Sequence, residues 1–171
     1  MLKKLPKTNL LLITFDQLRG DWVNRESPLV ELPNIKKLSK NAWVAERCYT
    51  NSPHCVPARF SWITGLYPSQ MALTKNQALD LPSDAPSIIR SLKSAGYYTA
   101  LVGKTHWTKH DEPCDLRDNK KLMTKLGFDK VNEVAGPRAL RRVRCDLTDR
   151  WEDAGVLEVQ LKDLERRYAS G

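Results

Sequence analysis

A short segment around Cys55 concentrates the side chains best suited to chemistry in this 171-residue chain. Cys55 stands just before Pro57, and such a proline is typical of the first turn of a helix, predicted here over 57–63 and ending near Gly65. The positive end of a helix dipole favours an anionic sulfur or a bound anion. Arg59 adds a guanidinium that suits a tetrahedral oxyanion. The segment indicates an activated sulfur or an anion site. If the segment stood alone, the favoured interpretation would be a buried cysteine beside a helix-starting proline.

An apolar run near the start of the chain ends at an acidic residue. Residues 9–15 are almost continuously apolar and rich in branched side chains, which is typical of a strand buried on both faces of a parallel sheet. Asp16 follows this run directly. Because open α/β sheets bind ligands beyond the carboxyl ends of their strands, we expect Asp16 at a ligand-binding edge.

Helix and strand signals alternate through the next part of the chain. Pro33 suits the start of a helix with Ile35, Leu38 and Ala42 along one side, and a strand is predicted over 43–49.

A second helix signal opens at 83–86 with a capping residue and an early proline, and Gly96 is placed to end it. A strand is predicted over 97–102. The alternation indicates an α/β fold with a parallel sheet. After residue 110 the pattern weakens, and only 157–168 is clearly helical.

Composition limits the class of protein. The length allows one ordinary domain, and 41% hydrophobic residues exclude a disordered chain. The longest apolar run, 10–15, is far shorter than the ~20 residues of a membrane helix, so no membrane association is predicted. It is also too short for a secretory signal, has no cleavage site after it and ends at Asp16. We therefore predict a cytoplasmic protein, or one whose export signal is missing from this sequence.

The net charge of +8 raises the question of nucleic-acid binding. The basic residues are spread along the chain, and the one tight cluster lacks interleaved aromatics: Arg138, Arg141, Arg142 and Arg144. A solvated basic face is favoured, and no nucleic-acid partner is expected. The four cysteines form no C-x-x-C pair, which excludes a zinc knuckle and is consistent with a reducing compartment.

Several ordered motifs resemble those of one enzyme family. Cys55-x-Pro57-x-Arg59 resembles the signature of type I sulfatases, in the alkaline phosphatase superfamily. Residues 9–16, 32–38, 64–68 and 96–106 are similar to that family's first strand with its metal-binding Asp, its "TPN…L" helix, its "TG-x-x-P" continuation and its "GY-T-x-x-x-GK-x-H" strand and loop. The resemblance covers 8–110 firmly and the remainder loosely. It implies an alkaline-phosphatase-like α/β fold, a mainly parallel sheet flanked by helices, here incomplete.

The resemblance also implies a role for individual residues. Cys55 would be oxidised to formylglycine by the formylglycine-generating enzyme, and one hydroxyl of the hydrated aldehyde would attack the sulfur of a small-molecule sulfate ester. Asp16 and the modified Cys55 would ligate a divalent cation, most often Ca²⁺, with Mg²⁺ or Mn²⁺ as alternatives. Arg59 would hold the formylglycine, Lys104 would contact a sulfate oxygen, and His106 would lie near the formylglycine or the leaving group.

Three further residues are weaker candidates. Asn76 lies where related enzymes can have a polar substrate contact, and His54 and His110 flank the main motifs. For each, ordinary packing or solvent exposure is the alternative.

The sequence departs from the family pattern at two points, which concern the metal ligands and the substrate class. Gln17 stands where many sulfatases have a second acid, which resembles the branch of choline sulfatases and phosphonate or phosphate ester hydrolases. The family's second Asp, with an Asn or His and a Lys, lies well beyond residue 171, and Asp146 and Asp149 follow no predicted buried strand.

We therefore expect residues 1–171 to be the N-terminal part of a sulfatase catalytic domain, weak or inactive by itself. A phosphonate or phosphate ester hydrolase of the same superfamily is one alternative. A non-catalytic product of a truncated gene is the other.

Overall fold

The computed structural model describes residues 8–23, 30–110 and 113–168. They divide into two compact units, Met1–Tyr49 and Thr50–Gly171. In the first unit the described helices are α1, Gly20–Val23, and α2, Pro33–Ser39. Pro33 occupies the first turn of α2, so the helix predicted there is confirmed. Neither helix buries a residue.

Two strand predictions in the first unit are wrong. Residues 9–15 and 43–49 form no strand, and their large apolar side chains are exposed: Leu11 by 85% and Trp43 by 89%. The physical reason is that a strand exists through its hydrogen-bonded neighbour. Among the described residues of the first unit, neither segment has such a neighbour.

The second unit alternates helices with short strands. In chain order its helices and strands are α3 Cys55–Thr64, α4 Ile88–Ser94, β1 Ala100–Gly103, β2 Cys114–Asp115, α5 Lys120–Leu126, β3 Lys130–Glu133, β4 Val143–Arg144, α6 Asp146–Asp153 and α7 Leu157–Tyr168. β1 pairs in parallel with β3, with Gly103 opposite Glu133, and β2 pairs in parallel with β4. Parallel strands flanked by helices agree with the expected fold class, and the two small sheets agree with an incomplete α/β fold.

Several element boundaries differ from the sequence prediction. α4 begins at Ile88 rather than at 83–86, because the Ser87 hydroxyl accepts a hydrogen bond from Arg90 N at 3.3 Å and caps the helix. β1 begins at Ala100 rather than at residue 97, because Tyr97 N still donates to Leu92 O at 3.1 Å and closes α4. The helix predicted over 157–168 is confirmed as α7.

Two apolar clusters hold the second unit together. The larger packs α3 and α5 around the segment after β1, and its buried members are Val56, Phe60, Ile63, Leu73, Leu81, Trp107, Met123, Leu126 and Phe128. The smaller joins the end of the chain to β2 and β4 through Leu116, Ala135, Leu140, Val143, Cys145 and Leu164. Since α3 contributes three residues to the larger cluster, its first turn is fixed relative to β1.

The arginine-rich segment takes part in ion pairs within the second unit. Arg144 lies 3.0 Å from Asp149 and also contacts Glu152, and Arg141 contacts Glu165. In the part of the chain that the structure describes, no helix is long and apolar enough to cross a membrane.

Candidate active site

Cys55 occupies the first turn of α3. His54 is the capping residue and has extended backbone angles, and Gly65 ends the helix with a left-handed φ of 73°. Val56, Pro57 and Ala58 are buried, whereas Cys55 is half-buried and His54 is exposed. The buried residues that follow Cys55 therefore fix its position at the start of the helix. The helix predicted over 57–63 is confirmed, with a start at Cys55.

Lys104 brings a positive charge to Cys55. Its Nζ lies 3.8 Å from the Cys55 Sγ, although the two residues are 49 positions apart in sequence. Lys104 follows β1 directly, and its side chain runs along Gly136: a Cβ at that glycine would lie 3.2 Å from Nζ. The ammonium group is thus held over the first turn of α3.

Arg59 connects α3 to the backbone of the segment after β1. Its Nη1 donates to Lys104 O, and its own carbonyl accepts a 2.9 Å hydrogen bond from Trp107 Nε1. Arg59 is 5% exposed, and its Cζ lies 5.2 Å from the centroid of the Trp62 ring. The guanidinium therefore fixes the peptide of Lys104 and also adds a positive charge to the helix that carries Cys55.

His106 adopts a backbone conformation that a non-glycine residue rarely has. Its φ is 59°, in the left-handed region. Such a conformation costs about 1–3 kcal/mol and persists only where the surroundings hold it. The half-buried ring stacks on His110 at a centroid distance of 5.2 Å and an interplanar angle of 23°.

A buried carboxyl group lies beside the segment that carries Lys104 and His106. Glu133 ends β3, is 5% exposed and accepts a hydrogen bond from the Thr105 hydroxyl at Oε1. His110 Nε2 lies 3.9 Å from the same oxygen and 3.2 Å from the Thr108 hydroxyl. Burial raises the pKa of Glu133 to about 7, and the Thr105 hydrogen bond opposes that rise in part.

Sequence reasoning missed Glu133 and Thr105. The rule that singled out Asp16, a carboxylate at the carboxyl end of a parallel strand, applies equally to Glu133. The strand went unrecognised because 130–133 is short and Val131 is its one apolar residue.

Asn76 caps the first turn of the cysteine's helix from a distant loop. Its Oδ1 accepts a 2.9 Å hydrogen bond from Val56 N. Because the first N–H groups of a helix have no partner within it, this amide stabilises the start of α3 directly after Cys55. The structure thus links Cys55, Arg59, Asn76 and Lys104 around the start of α3. The histidine pair His106 and His110 lies on the loop that follows Lys104.

Asp16 belongs to the first unit, where its side chain is exposed and Gln17 turns the chain with a φ of 55°. Its carboxylate suits a hard cation, but Ca²⁺ takes about six to eight oxygen ligands. The described residues contain no group of three or more His, Cys, Asp or Glu that could hold a metal ion. The described residues therefore do not form a complete calcium site by themselves.

A family model and individual relatives point to the same protein family. The family model described as "Sulfatase" matches residues 8–168. A choline-sulfatase from Rhizobium meliloti (strain 1021) is 38% identical over 107 residues, which cover 62% of this chain and 21% of the relative. An arylsulfatase from Clostridium perfringens (strain 13 / Type A) is 29% identical over 146 residues, covering 85% and 30%.

A third relative extends the comparison to the wider superfamily. The multifunctional alkaline phosphatase superfamily protein PehA of Trinickia caryophylli is 28% identical over 120 residues, covering 67% of this chain and 23% of the relative. The chain spans less than a third of the length of these three curated relatives.

Proposed function

The chain belongs to the sulfatase family, and from this membership we propose that it carries the nucleophile side of a site that hydrolyses sulfate esters. The single observation that carries the proposal is the pairing of Cys55 with Lys104, Sγ to Nζ 3.8 Å, at the first turn of α3. A nucleophile position beside a fixed cation suits a substrate that bears a negative charge on the group under attack.

Cys55 is the residue proposed for conversion to formylglycine, with the formylglycine-generating enzyme as partner. Once formed, this group supplies a hydrated aldehyde whose hydroxyl is a nucleophile toward sulfur. The half-buried position of Cys55 leaves the side chain accessible, and the buried residues after it keep its location fixed.

Lys104 and Arg59 supply the positive charge of the proposed site. The Lys104 ammonium contacts a sulfate oxygen and offsets the charge that develops on the transferred group. Arg59 keeps the Lys104 peptide in place through its hydrogen bond to that carbonyl, and its buried charge lies on the same helix as the nucleophile.

His106 and Asn76 complete the proposed contacts of this chain. His106 lies on the same loop as Lys104 and is assigned to a proton at the formylglycine or at the leaving alcohol. Asn76 is assigned to positioning of the α3 start, which is supported by its hydrogen bond to Val56 N, and to a polar contact with substrate.

Asp16 is proposed as a ligand of a divalent cation, with Ca²⁺ first and Mg²⁺ or Mn²⁺ as alternatives. A carboxylate after residues 9–15 is the family's metal position, and carboxylate oxygen is the donor that Ca²⁺ prefers. Because one carboxylate and one formylglycine oxygen are too few ligands, we propose that residues 1–171 alone hydrolyse sulfate esters poorly or not at all.

The test is coexpression of the chain with the formylglycine-generating enzyme. Mass spectrometry of the Cys55 peptide is expected to show the aldehyde, and the Cys48 peptide, which carries another free and exposed cysteine, to keep its thiol. Turnover of an aryl sulfate with Ca²⁺ is then expected to be weak or absent. An intact thiol at Cys55 would contradict the proposal and favour a non-catalytic role for the chain. Robust turnover that Cys55→Ala abolishes would overturn the proposed incompetence.

A phosphonate or phosphate ester hydrolase is the second candidate. Asp16 followed by Gln17 favours this branch, and the similarity to a multifunctional member of the alkaline phosphatase superfamily supports it. The two candidates differ in the atom under attack, sulfur or phosphorus, and in the second ester group that a phosphate diester carries where a sulfate ester has an oxygen. Binding of a sulfate ester compared with a phosphate diester, measured on the same formylglycine-containing chain, separates them: preference for the diester would favour the second.

A further inference from the structure

Glu133 connects the two parts of the loop that carries the candidate catalytic histidine. Its Oε1 accepts a hydrogen bond from Thr105, the residue between Lys104 and His106, and lies 3.9 Å from His110 Nε2. We propose that Glu133 is a positioning residue, whose carboxylate holds Thr105 and His110 together and thereby sets the orientation of His106. The inference rests on the proposed function only in assigning His106 to the site.

The strand register brings Glu133 to this place. Glu133 lies opposite Gly103 at the carboxyl end of the β1–β3 pair, and Val134 N donates to Gly103 O at 3.1 Å. The loop with Lys104 and His106 begins at this glycine, whose φ is 108°. The carboxylate therefore projects where the chain leaves the sheet.

The contacts of the carboxylate reach His106 along two routes. Through Thr105 it fixes the peptide that precedes His106, whose left-handed backbone needs such a constraint. Through His110 it faces the ring that stacks on His106 at 5.2 Å. Thr105 and His110, the two neighbours of His106, therefore both lie against Glu133 Oε1.

Burial makes a purely packing role costly. The Glu133 side chain is 2% exposed, and its Oε2 has no hydrogen-bond partner among the described residues. A buried carboxyl group with few partners destabilises a fold relative to an apolar residue of similar volume. If this position were needed only for packing, Leu or Met would make the fold more stable than Glu.

The same pair of strands contains a matched control. At the amino end of β1, the Thr99 hydroxyl donates to Asp129 Oδ2 at 2.9 Å, just before β3. Asp129 is exposed and forms a 2.8 Å ion pair with Lys93. The pairs Thr99–Asp129 and Thr105–Glu133 thus join the same segments at opposite ends, and only the second faces the histidines.

The test follows the ring resonances of the three histidines by NMR at one fixed pH in the full chain. Glu133→Met and Thr105→Val are expected to displace the His106 and His110 resonances and to leave His54, on the exposed cap of α3, in place. Asp129→Leu and Thr99→Val are expected to leave all three in place. Unmoved His106 resonances in Glu133→Met, or equal displacement in the control variants, would overturn the proposal. If Glu133→Met does not fold, the Thr105→Val variant tests the proposal, because it removes the hydrogen bond and keeps the Glu133 carboxylate.

A titration with inorganic sulfate separates this inference from the proposed function. The dissociation constant read from the His106 resonance is expected to rise about three- to tenfold in Glu133→Met and to stay unchanged in Asp129→Leu. A wild-type spectrum that does not respond to sulfate would contradict the proposed function, while the histidine displacements would still decide the role of Glu133.

Discussion

At the residue scale, the candidate site depends on cations held at fixed positions. Lys104 reaches Cys55 because its stem lies along Gly136, where no side chain intervenes. Arg59 is buried and committed in part to the Lys104 carbonyl. Lys104 thus places its charge beside Cys55, while Arg59 stabilises the loop that carries Lys104.

Lys104→Met is expected to weaken binding of inorganic sulfate to the chain by about ten- to a hundredfold, since a hydrogen bond to a charged group contributes about 1.5–3 kcal/mol. Isothermal titration measures the effect. The control is Lys109→Met, an exposed lysine five positions further along the same loop, which should bind sulfate as the wild type does. Equal losses in both variants would mean that general charge, rather than the Lys104 position, attracts the anion.

The buried Glu133 gives the chain a pH dependence of stability. Its folded pKa of about 7 lies above the ordinary 4.5, so the folded state binds more protons than the unfolded state between these values. The free energy of unfolding should therefore fall as the pH rises from about 4.5 to 7, by an amount of order 2 kcal/mol.

Urea unfolding at several pH values measures this slope, and Glu133→Gln should flatten it. His110 on the loop lies 3.9 Å from the carboxyl group, and a cavity of about 280 Å³ that Glu133 lines is also lined by charged residues further away: Arg117, Lys120, Asp129 and Asp146. An unchanged slope in Glu133→Gln would assign the pH dependence to one of these groups.

At the element scale, the capping residues at the ends of α3 and α5 are glycines with positive φ, and the two ends differ in their surroundings. Gly65 after α3 has a φ of 73° and nothing within 4 Å of a would-be Cβ. Gly127 after α5 has a φ of 114°, and a Cβ there would lie 2.5 Å from the backbone nitrogen of Arg90. The second glycine therefore lets α4 and α5 approach closely.

Gly65→Ala is expected to cost about 1–2 kcal/mol, the penalty of a left-handed conformation for a residue with a Cβ. Gly127→Ala carries this penalty and an added clash with the backbone of α4, about 1–3 kcal/mol more. The midpoints of urea unfolding measure the difference. Equal destabilisation by the two substitutions would show that α4 moves aside without cost.

The elements that were predicted well are those whose signals lie within a few residues. Pro57 and Gly65 mark the two ends of α3, and the apolar spacing of 157–168 marks α7. The start of α4 was misplaced because Ser83, Asp84 and Ser87 are all good caps by type. Only the hydrogen bond from Arg90 N to Ser87 selects one of them.

At the scale of the whole molecule, the described residues contain part of the proposed site. Within the second unit Lys104 contacts Cys55, and the histidine pair lies on the loop that follows Lys104; Asp16 lies in the first unit. No group of three or more metal-ligating side chains is formed by residues 8–23, 30–110 and 113–168. Metal binding should therefore contribute little to the stability of this chain.

Removal of divalent cations by EDTA is expected to leave the thermal unfolding midpoint of the chain unchanged, and added Ca²⁺ should not raise it. The Asp16→Ala variant should have the same midpoint in either condition. A midpoint that falls with EDTA in the wild type but not in Asp16→Ala would show that the chain holds a strong metal site after all.

The sequence by itself determined the local features of this protein and its family. The spacing of Cys55, Pro57 and Arg59, and the order of the motifs around them, required no knowledge of distant contacts. The ends of α3 were readable to within two residues, because prolines and glycines act on their own neighbours in the chain.

The tertiary structure decided what depends on partners far away in sequence. Residues 9–15 have a strand's composition, yet they form no strand, since composition does not supply a hydrogen-bonded neighbour. The approach of Lys104 to Cys55 and of Glu133 to Thr105 spans 49 and 28 positions. Packing around α3 sets the contact of Lys104 with Cys55, and parallel pairing of β1 with β3 sets the contact of Glu133 with Thr105. Neither contact can be predicted from the local spacing of residues.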